Sequence, residues 1–359
     1  MNIKSLLLGS AAALAAVTGA QAADAIVAAS PEPMEYVRVC DAFGTGYFYI
    51  PGTETCLKIG GYVRFQTNYN SNGQTLGGDR EWDSRTRGYI NFQTKSDTEY
   101  GALGSFIALR TWAESDYAGG SVEIDEAYLT LGGFTAGYKY NYWDAGLSGE
   151  TDALGSNRVN TIGYEYTGSG FKAGLFVDEL SGYQSDSTFT GYRSAAGTTN
   201  YSRNDSVGIE GQISGTFGPV SVALLGGYDF AADNGAIRGI ATADIGPGTL
   251  GIAGIYSSGP NAYYFLSEWT VAAQYAVKLT DKFSITPGFQ YWGKMDYSGD
   301  DFVGSRDAWR AGVTLDYKIV DGLTAKVSAQ YTSVDGARTS VAAHDQDVWT
   351  GFVRLQRTF

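Results

Sequence analysis

The chain has 359 residues and a formal charge of −13, with 49 Gly, 26 Tyr, 17 Phe, 7 Trp, 2 Cys and one His. One histidine and two cysteines exclude most His-built metal centres, zinc ribbons and disulfide-dense scaffolds, and the acid excess excludes a nucleic-acid binder, which needs a basic stripe. The aromatic content is too high for a disordered chain, and after residue 22 no run of 18 apolar residues offers a membrane-spanning helix.

Residues 1–22 read as a signal peptide. Lys4 supplies the positive start, Leu6 to Val17 the short apolar stretch, and Ala20-Gln21-Ala22 the small-residue cleavage site. Export places the chain where a disulfide persists. Residues 23–56 form an N-terminal segment punctuated by Pro31, Pro33 and Pro51, in which Cys40 and Cys56 are expected to pair. Such a bridge is worth roughly 3 kcal/mol on the chain-entropy model.

From residue 57 the hydrophobic period is two. Leu57, Ile59, Val63 and Phe65 share one face while Lys58, Tyr62, Arg64, Gln66 and Asn68 share the other, and stretches 269–279 and 309–319 repeat the pattern. Turn chemistry alternates in length. Tight turns are expected at 96–101, 132–135, 167–170, 215–219, 244–248, 279–282 and 319–322, and longer Gly, Asp, Ser and Asn-rich connections at 70–84, 114–122, 142–159, 180–204, 231–235, 257–265, 293–306 and 333–346. Those connections join sixteen strands.

Many of these strands run longer than the five or six residues of a soluble sandwich. A strand of about ten residues tilted near 45° spans a bilayer core, and short turns on one side with long loops on the other suit an even-stranded outer-membrane barrel. The expected fold is therefore an all-β, sixteen-stranded antiparallel transmembrane β-barrel over residues 57–359, apolar outside and polar within, in a bacterial outer membrane. Pro287 removes a ladder donor in mid-strand, so a bulge or break is expected there. Arg357 interrupts the lipid-facing row of the last strand and belongs at the interface, where a charge costs about 0 to 1 kcal/mol.

Sixteen strands leave an aqueous channel. The third outer loop, 142–159, carries Asp144, Glu150 and Asp152, and the period-two phase points Lys58, Arg64, Arg85, Arg87 and Arg110 into the lumen. A basic wall facing an acidic loop sets a transverse field across a constriction; the alternative is that these charges are only the ordinary polarity of a wet lumen and a solvated loop. No enzyme is expected, because the one histidine, His344, lies in an outer loop and no Gly-x-Ser-x-Gly elbow occurs. No cofactor, metal or nucleic-acid partner is expected. A substrate-selective channel, receptor or adhesin on the same barrel stays open as the alternative to passive diffusion.

The leader Met1 to Ser10, the segment Glu35 to Ala42, the stretch Gly46 to Leu57, Gly61-Tyr62-Val63-Arg64 and the ending Val353-Arg354-Leu355-Gln356-Arg357-Thr358-Phe359 resemble the alphaproteobacterial porins of the Brucella and Rhizobium type. The resemblance implies a homotrimer of sixteen-stranded general-diffusion channels, each narrowed by an inward-folded third loop, seated among outer-membrane lipid and lipopolysaccharide and passing small hydrophilic solutes and ions. It also supports the Cys40–Cys56 pair. A weak cation preference is expected, because acids of the outer loops outnumber the near-balanced charges of the constriction.

Overall fold

Period-two alternation leaves each strand with one face for lipid and one for water, and the backbone satisfies its own donors only if the sheet closes. The computed structural model describes residues 38–72, 74–75, 78–114, 122–155, 158–180, 206–335 and 346–359. The signal peptide, most of the segment before Cys40, and His344 lie outside the described residues. Residues Cys40–Phe359 form one compact unit.

Sixteen barrel strands follow in order: β1 Cys56–Asn70, β2 Trp82–Thr98, β3 Gly101–Glu114, β4 Glu123–Leu131, β5 Phe134–Tyr140, β6 Arg158–Thr167, β7 Phe171–Glu179 and β8 Val207–Phe217. The second half comprises β9 Val220–Asp229, β10 Asn234–Ile245, β11 Gly248–Ser257, β12 Trp269–Lys278, β13 Phe283–Gly293, β14 Asp307–Val320, β15 Leu323–Asp335 and β16 Gln346–Thr358. Each pairs antiparallel with its neighbours in sequence, and β1 pairs with both β2 (Arg64 opposite Arg87) and β16 (Tyr62 opposite Thr358), which closes the barrel. The strand count, the alternation of tight turns with longer loops, and the return of both barrel ends to the tight-turn side agree with the sequence reading.

The tight turns have a plain chemical cause. Gly218 and Gly246 each stand before a proline with φ near +59°, a conformation open to glycine at no steric cost, and the proline then fixes the next φ. At Pro287 the ladder between β12 and β13 lapses opposite Tyr275 and Ala276 and resumes in unchanged register at Val277–Ile285. That is a local break without a bulge. Arg357 sits at the tight-turn rim, where its guanidinium donates to the Asp321 carbonyl at 3.3 Å.

Outward side chains divide into bands. Toward the loop ends of β12 to β16 the rings Trp269–Tyr291, Trp309–Tyr331 and Tyr331–Trp349 pack across neighbouring strands, the first stacked and the other two tilted, with centroids 5.2, 5.4 and 5.0 Å apart. Toward the tight turns stand Tyr164, Tyr166, Phe171, Phe217 and Phe359, all exposed, and between the two rows lie exposed aliphatics such as Val63, Leu224, Ile252 and Val353. Two aromatic girdles around an apolar band match a bilayer and its two interfaces. Buried apolar side chains are gathered instead where loops fold inward: one cluster surrounds Trp143, a second Trp292, and a third joins Cys40, Tyr47 and Cys56.

Candidate functional site

The inner face of β16, β1, β2 and β3 is built around arginine. Register places Arg64 directly across from Arg87, and Gln66 between Arg85 on one side and Arg354 on the other. Like charges at neighbouring ladder positions repel, and aromatic faces and amides offset this. Arg85 and Arg87 both lie over the Trp112 ring, at 4.0 and 3.9 Å from its centroid, and Arg64 lies 4.8 Å from that of Tyr62. Arg87 donates to the Tyr62 hydroxyl at 3.2 Å, Arg64 to Gln356 Oε1 at 2.7 Å and Arg354 to Gln66 Oε1 at 2.6 Å. Glu114 stands 3.9 Å from Arg85.

The connection between β5 and β6 leaves the wall and turns into the barrel. Asn141 starts it, its side chain accepting from the Trp143 N–H at 3.2 Å to open a single 3₁₀ turn over Tyr142–Asp144. Trp143 is fully buried between Arg238 of β10 and the inward-folded loop after β11, with ring centroids 6.0 Å from Tyr263 and 6.5 Å from Tyr264. Arg238, 1% exposed, donates to the carbonyls of Tyr142 at 2.7 Å, Trp143 at 2.8 Å and Leu154 at 3.1 Å. One guanidinium thus ties both ends of the loop to the wall.

Further along, the Gly149 N–H donates to Gln274, whose side-chain amide donates to Asp152. A Cβ at position 149 would fall against the end of the Gln274 side chain, which would have to shift to admit it. Gln290 pairs with Ala153 in both senses, accepting from its N–H at 2.6 Å and donating to its carbonyl at 3.1 Å. The Glu150 N–H donates to Thr314 Oγ1 at 3.2 Å, and the Glu150 carboxylate lies 2.8 Å from Lys326 of β15 and 3.3 Å from Arg354 of β16. The loop therefore runs along the inner wall from β10 to β14 and ends its reach on the basic side.

The sequence-predicted residues fall into distinct settings. Arg64, Arg85 and Arg87 form one group. Arg110 instead pairs with Glu123 and with Asp125 at 2.8 Å, beside Arg158, which shares Asp125 at 2.6 Å. Lys58 lies near the tight-turn end, 5.7 Å from the ring centroid of Tyr47. Glu150 meets lysine and arginine across the loop tip, and Asp144 is exposed at the loop's start. Asp152 is turned inward, accepting from the Leu147 N–H at 3.1 Å as well as from Gln274, and burial pushes its carboxyl above the ordinary carboxylate range. Arg354 and Lys326 were legible by the same period-two phase that places Arg64. Arg238 and Trp112 had no such distinguishing signal, since what marks them is the partner each meets.

A sixteen-stranded barrel with a polar lumen and an inward third loop is the architecture of an outer-membrane channel, and a sequence model described as "Porin subfamily" matches residues 24–352. The chain belongs to that porin family. Outer membrane protein IIIA of Rhizobium leguminosarum bv. viciae is 50% identical over 352 residues, covering 96% of the porin described here and 93% of the relative. Porin Omp2b of Brucella canis is 34% identical over 406 residues, covering both chains entirely. Among solved structures the outer membrane channel DcaP of Acinetobacter baumannii superposes with TM-score 0.62 at 13% identity, covering 87% of this chain and 99% of that one. OmpT of Vibrio cholerae, in a trimer form, gives 0.58 at 10% identity, covering 86% and 100%. At those identities the structures speak for the fold, and the relatives place the porin in the outer membrane.

Proposed function

We propose that this porin is a passive pathway for small hydrophilic solutes and ions, without catalytic turnover or cofactor, narrowed between the basic wall of β16 to β3 and the loop spanning 142–159. The observation that carries the reading is the loop's attachment: its two ends are tied to Arg238 and its tip reaches Lys326 and Arg354, so it crosses the lumen at a fixed place. In this reading Arg64, Arg85 and Arg87 form the basic side of the constriction and Glu150 with Asp144 the acidic side. Asp152 shapes the loop. Lys58 and Arg110 flank the constriction, each with partners of its own.

The porin is proposed to be weakly cation-preferring. Arg110 is matched by Glu123 and Asp125, Arg85 by Glu114, and Lys326 with Arg354 by Glu150, so much of the basic charge is offset locally. Loop acids such as Glu81, Asp300 and Asp301 then bias the mouth, consistent with the formal charge of −13. Assembly as a homotrimer is proposed on the resemblance to a barrel solved in a trimer form. The outward apolar band meets outer-membrane lipid, with the long loops at the lipopolysaccharide level. A graded series of neutral sugars in liposomes tests the diffusion reading: entry rates should fall smoothly with size, and saturable entry of one sugar would instead mark a selective channel. Reversal potentials in a salt gradient should show a small cation preference; a clear anion preference would mean that the arginine wall governs permeation.

A further inference from the structure

Closure of the barrel requires nothing before Cys56. β1 is paired on one edge by β2 and on the other by β16, and the last residue completes the seam through Phe359 N–H to the Gly61 carbonyl at 3.0 Å. Yet residues 40–55 are built onto the tight-turn end in considerable detail. Phe48 and Tyr49 pair with Leu57 and Cys56, occupying the edge of β1 that β16 leaves uncovered. A turn closed by the Thr53 N–H on the Ile50 carbonyl joins the two arms of that hairpin. Before the hairpin the chain bends inward at Gly46, where φ is +89°, and the Cys40 N–H donates to the Tyr47 carbonyl at 2.9 Å. A disulfide from Cys40 to Cys56 pins the bend.

The direction of that bend follows from register. Cys56 is opposite Lys95 and Lys58 is opposite Gln93, all on the ladder positions that continue through Tyr62 and Arg64 to the lumen face. Tyr47 lies against this set, 5% exposed, its hydroxyl donating to Gln93 Oε1 at 3.0 Å with Lys58 and Lys95 at 5.7 and 5.9 Å from its ring centroid. Phe43 packs edge-on to Tyr47 at 6.3 Å, and Lys95 lies 5.8 Å from the Phe43 ring centroid. An apolar cluster has thus been placed over lumen-facing polar side chains, at the end of the channel away from the inward loop.

We propose that residues 40–55 form a second narrowing of the channel, a disulfide-pinned collar on the inner wall at its tight-turn mouth, with Tyr47 and Phe43 as its inward bulk. It selects by size, in series with the constriction at the third loop. This inference rests on the channel reading above. The aromatic residues occupy cross-section that solutes would otherwise use, and the bridge keeps them there because both its ends are buried.

The test uses full-length porin reconstituted in bilayers and liposomes. A membrane-permeant dithiol added to the inserted wild type reduces the Cys40–Cys56 bond, taking up two electrons and two protons to give two thiols while the dithiol becomes a cyclic disulfide. Single-channel conductance should then rise and the cut-off for neutral oligosaccharides should shift to larger sizes. Tyr47→Ala, which leaves the bridge in place, should shift both in the same direction by a smaller amount. Should conductance and cut-off stay unchanged in both cases, with thiol labelling showing Cys40 and Cys56 reduced, the collar is overturned while the channel stands. A wild type that conducts nothing overturns the channel reading and the collar with it.

Discussion

From β16 round to β3 the inner wall presents its charged side chains to the channel, whereas from β10 to β14 the same kind of polar wall is taken up by the loop at 142–155. Arg64 and Arg87 rest on rings, a side-chain amide and a tyrosine hydroxyl. Arg238 and Arg310, equally lumen-directed by register, are buried; Arg238 is spent on loop carbonyls, and Arg310 lies against the Trp292 ring and donates to the Thr151 carbonyl at 3.5 Å. An inward arginine is thus left to rings and side-chain amides on one wall and spent on a loop backbone on the other. What separates the two is whether a loop backbone with unsatisfied carbonyls lies within reach.

The sharpest way to break this distinction is to remove the anchor. Arg238→Ala takes the guanidinium from three loop carbonyls, of which Tyr142's keeps the Ala145 N–H at 3.4 Å, and since hydrogen bonds to charged groups are worth about 1.5–3 kcal/mol each and are not additive, the loop should lose about 3 kcal/mol of attachment. The barrel ladder is untouched, so heat resistance of the folded barrel in detergent should change little. Open-channel current noise and protease cleavage near residues 145–150 should both increase. Quiet channels and an uncut loop in this variant would mean that Trp143 and the glutamines hold the loop without it.

A smaller effect is expected at the meeting point of the two walls. Glu150→Gln removes the acid between Lys326 and Arg354 while keeping the side chain's size and one acceptor oxygen, the three side chains being 16–28% exposed. Folding should be unaffected, but Arg354 would lose its carboxylate and Lys326 would keep only Asp316, 3.5 Å away, so the reversal potential should move toward anions. An unchanged potential would show that this pair does not border the permeation path.

The smallest change concerns the basic wall itself. Neutralising Arg64 and Arg110 together should strengthen the cation preference, and the difference from wild type should fade between 0.1 M and 1 M salt as the screening length drops from about 10 Å to about 3 Å. The two sites should contribute unequally. Arg110→Gln leaves Glu123 and Asp125 with one cation fewer, while Arg64→Gln takes charge from an arginine cluster whose members already repel one another. Matched effects from the two single variants would argue that the outer mouth alone sets selectivity.

Much of this was readable from residue order. The period of two, together with turn residues at alternating long and short intervals, is set by local backbone geometry and by which face each side chain meets, so strand number and the side of each turn follow from the chain alone. The same phase puts Arg64, Arg85 and Arg87 on one face of β1 and β2. It says nothing of height along the channel or of partners across it. Lys58 and Arg64 share a face of one strand, yet one meets Tyr47 and the other an arginine cluster. Asp152 reads as a loop carboxylate like Glu150, but its neighbours turn it into a loop brace.

By itself, then, the sequence determined a closed antiparallel barrel with apolar exterior and charged lumen, because alternation and turn chemistry are local and a membrane allows no unpaired sheet edge. Only the tertiary structure decided which lumen-directed residues rest on rings and amides and which hold a loop. It also decided that Cys40 and Cys56 fold an aromatic pair over the channel's tight-turn end. Those outcomes depend on contacts far apart in the chain, such as the 204 positions between Glu150 and Arg354, and no periodicity within a strand encodes where a loop from elsewhere in the chain will land.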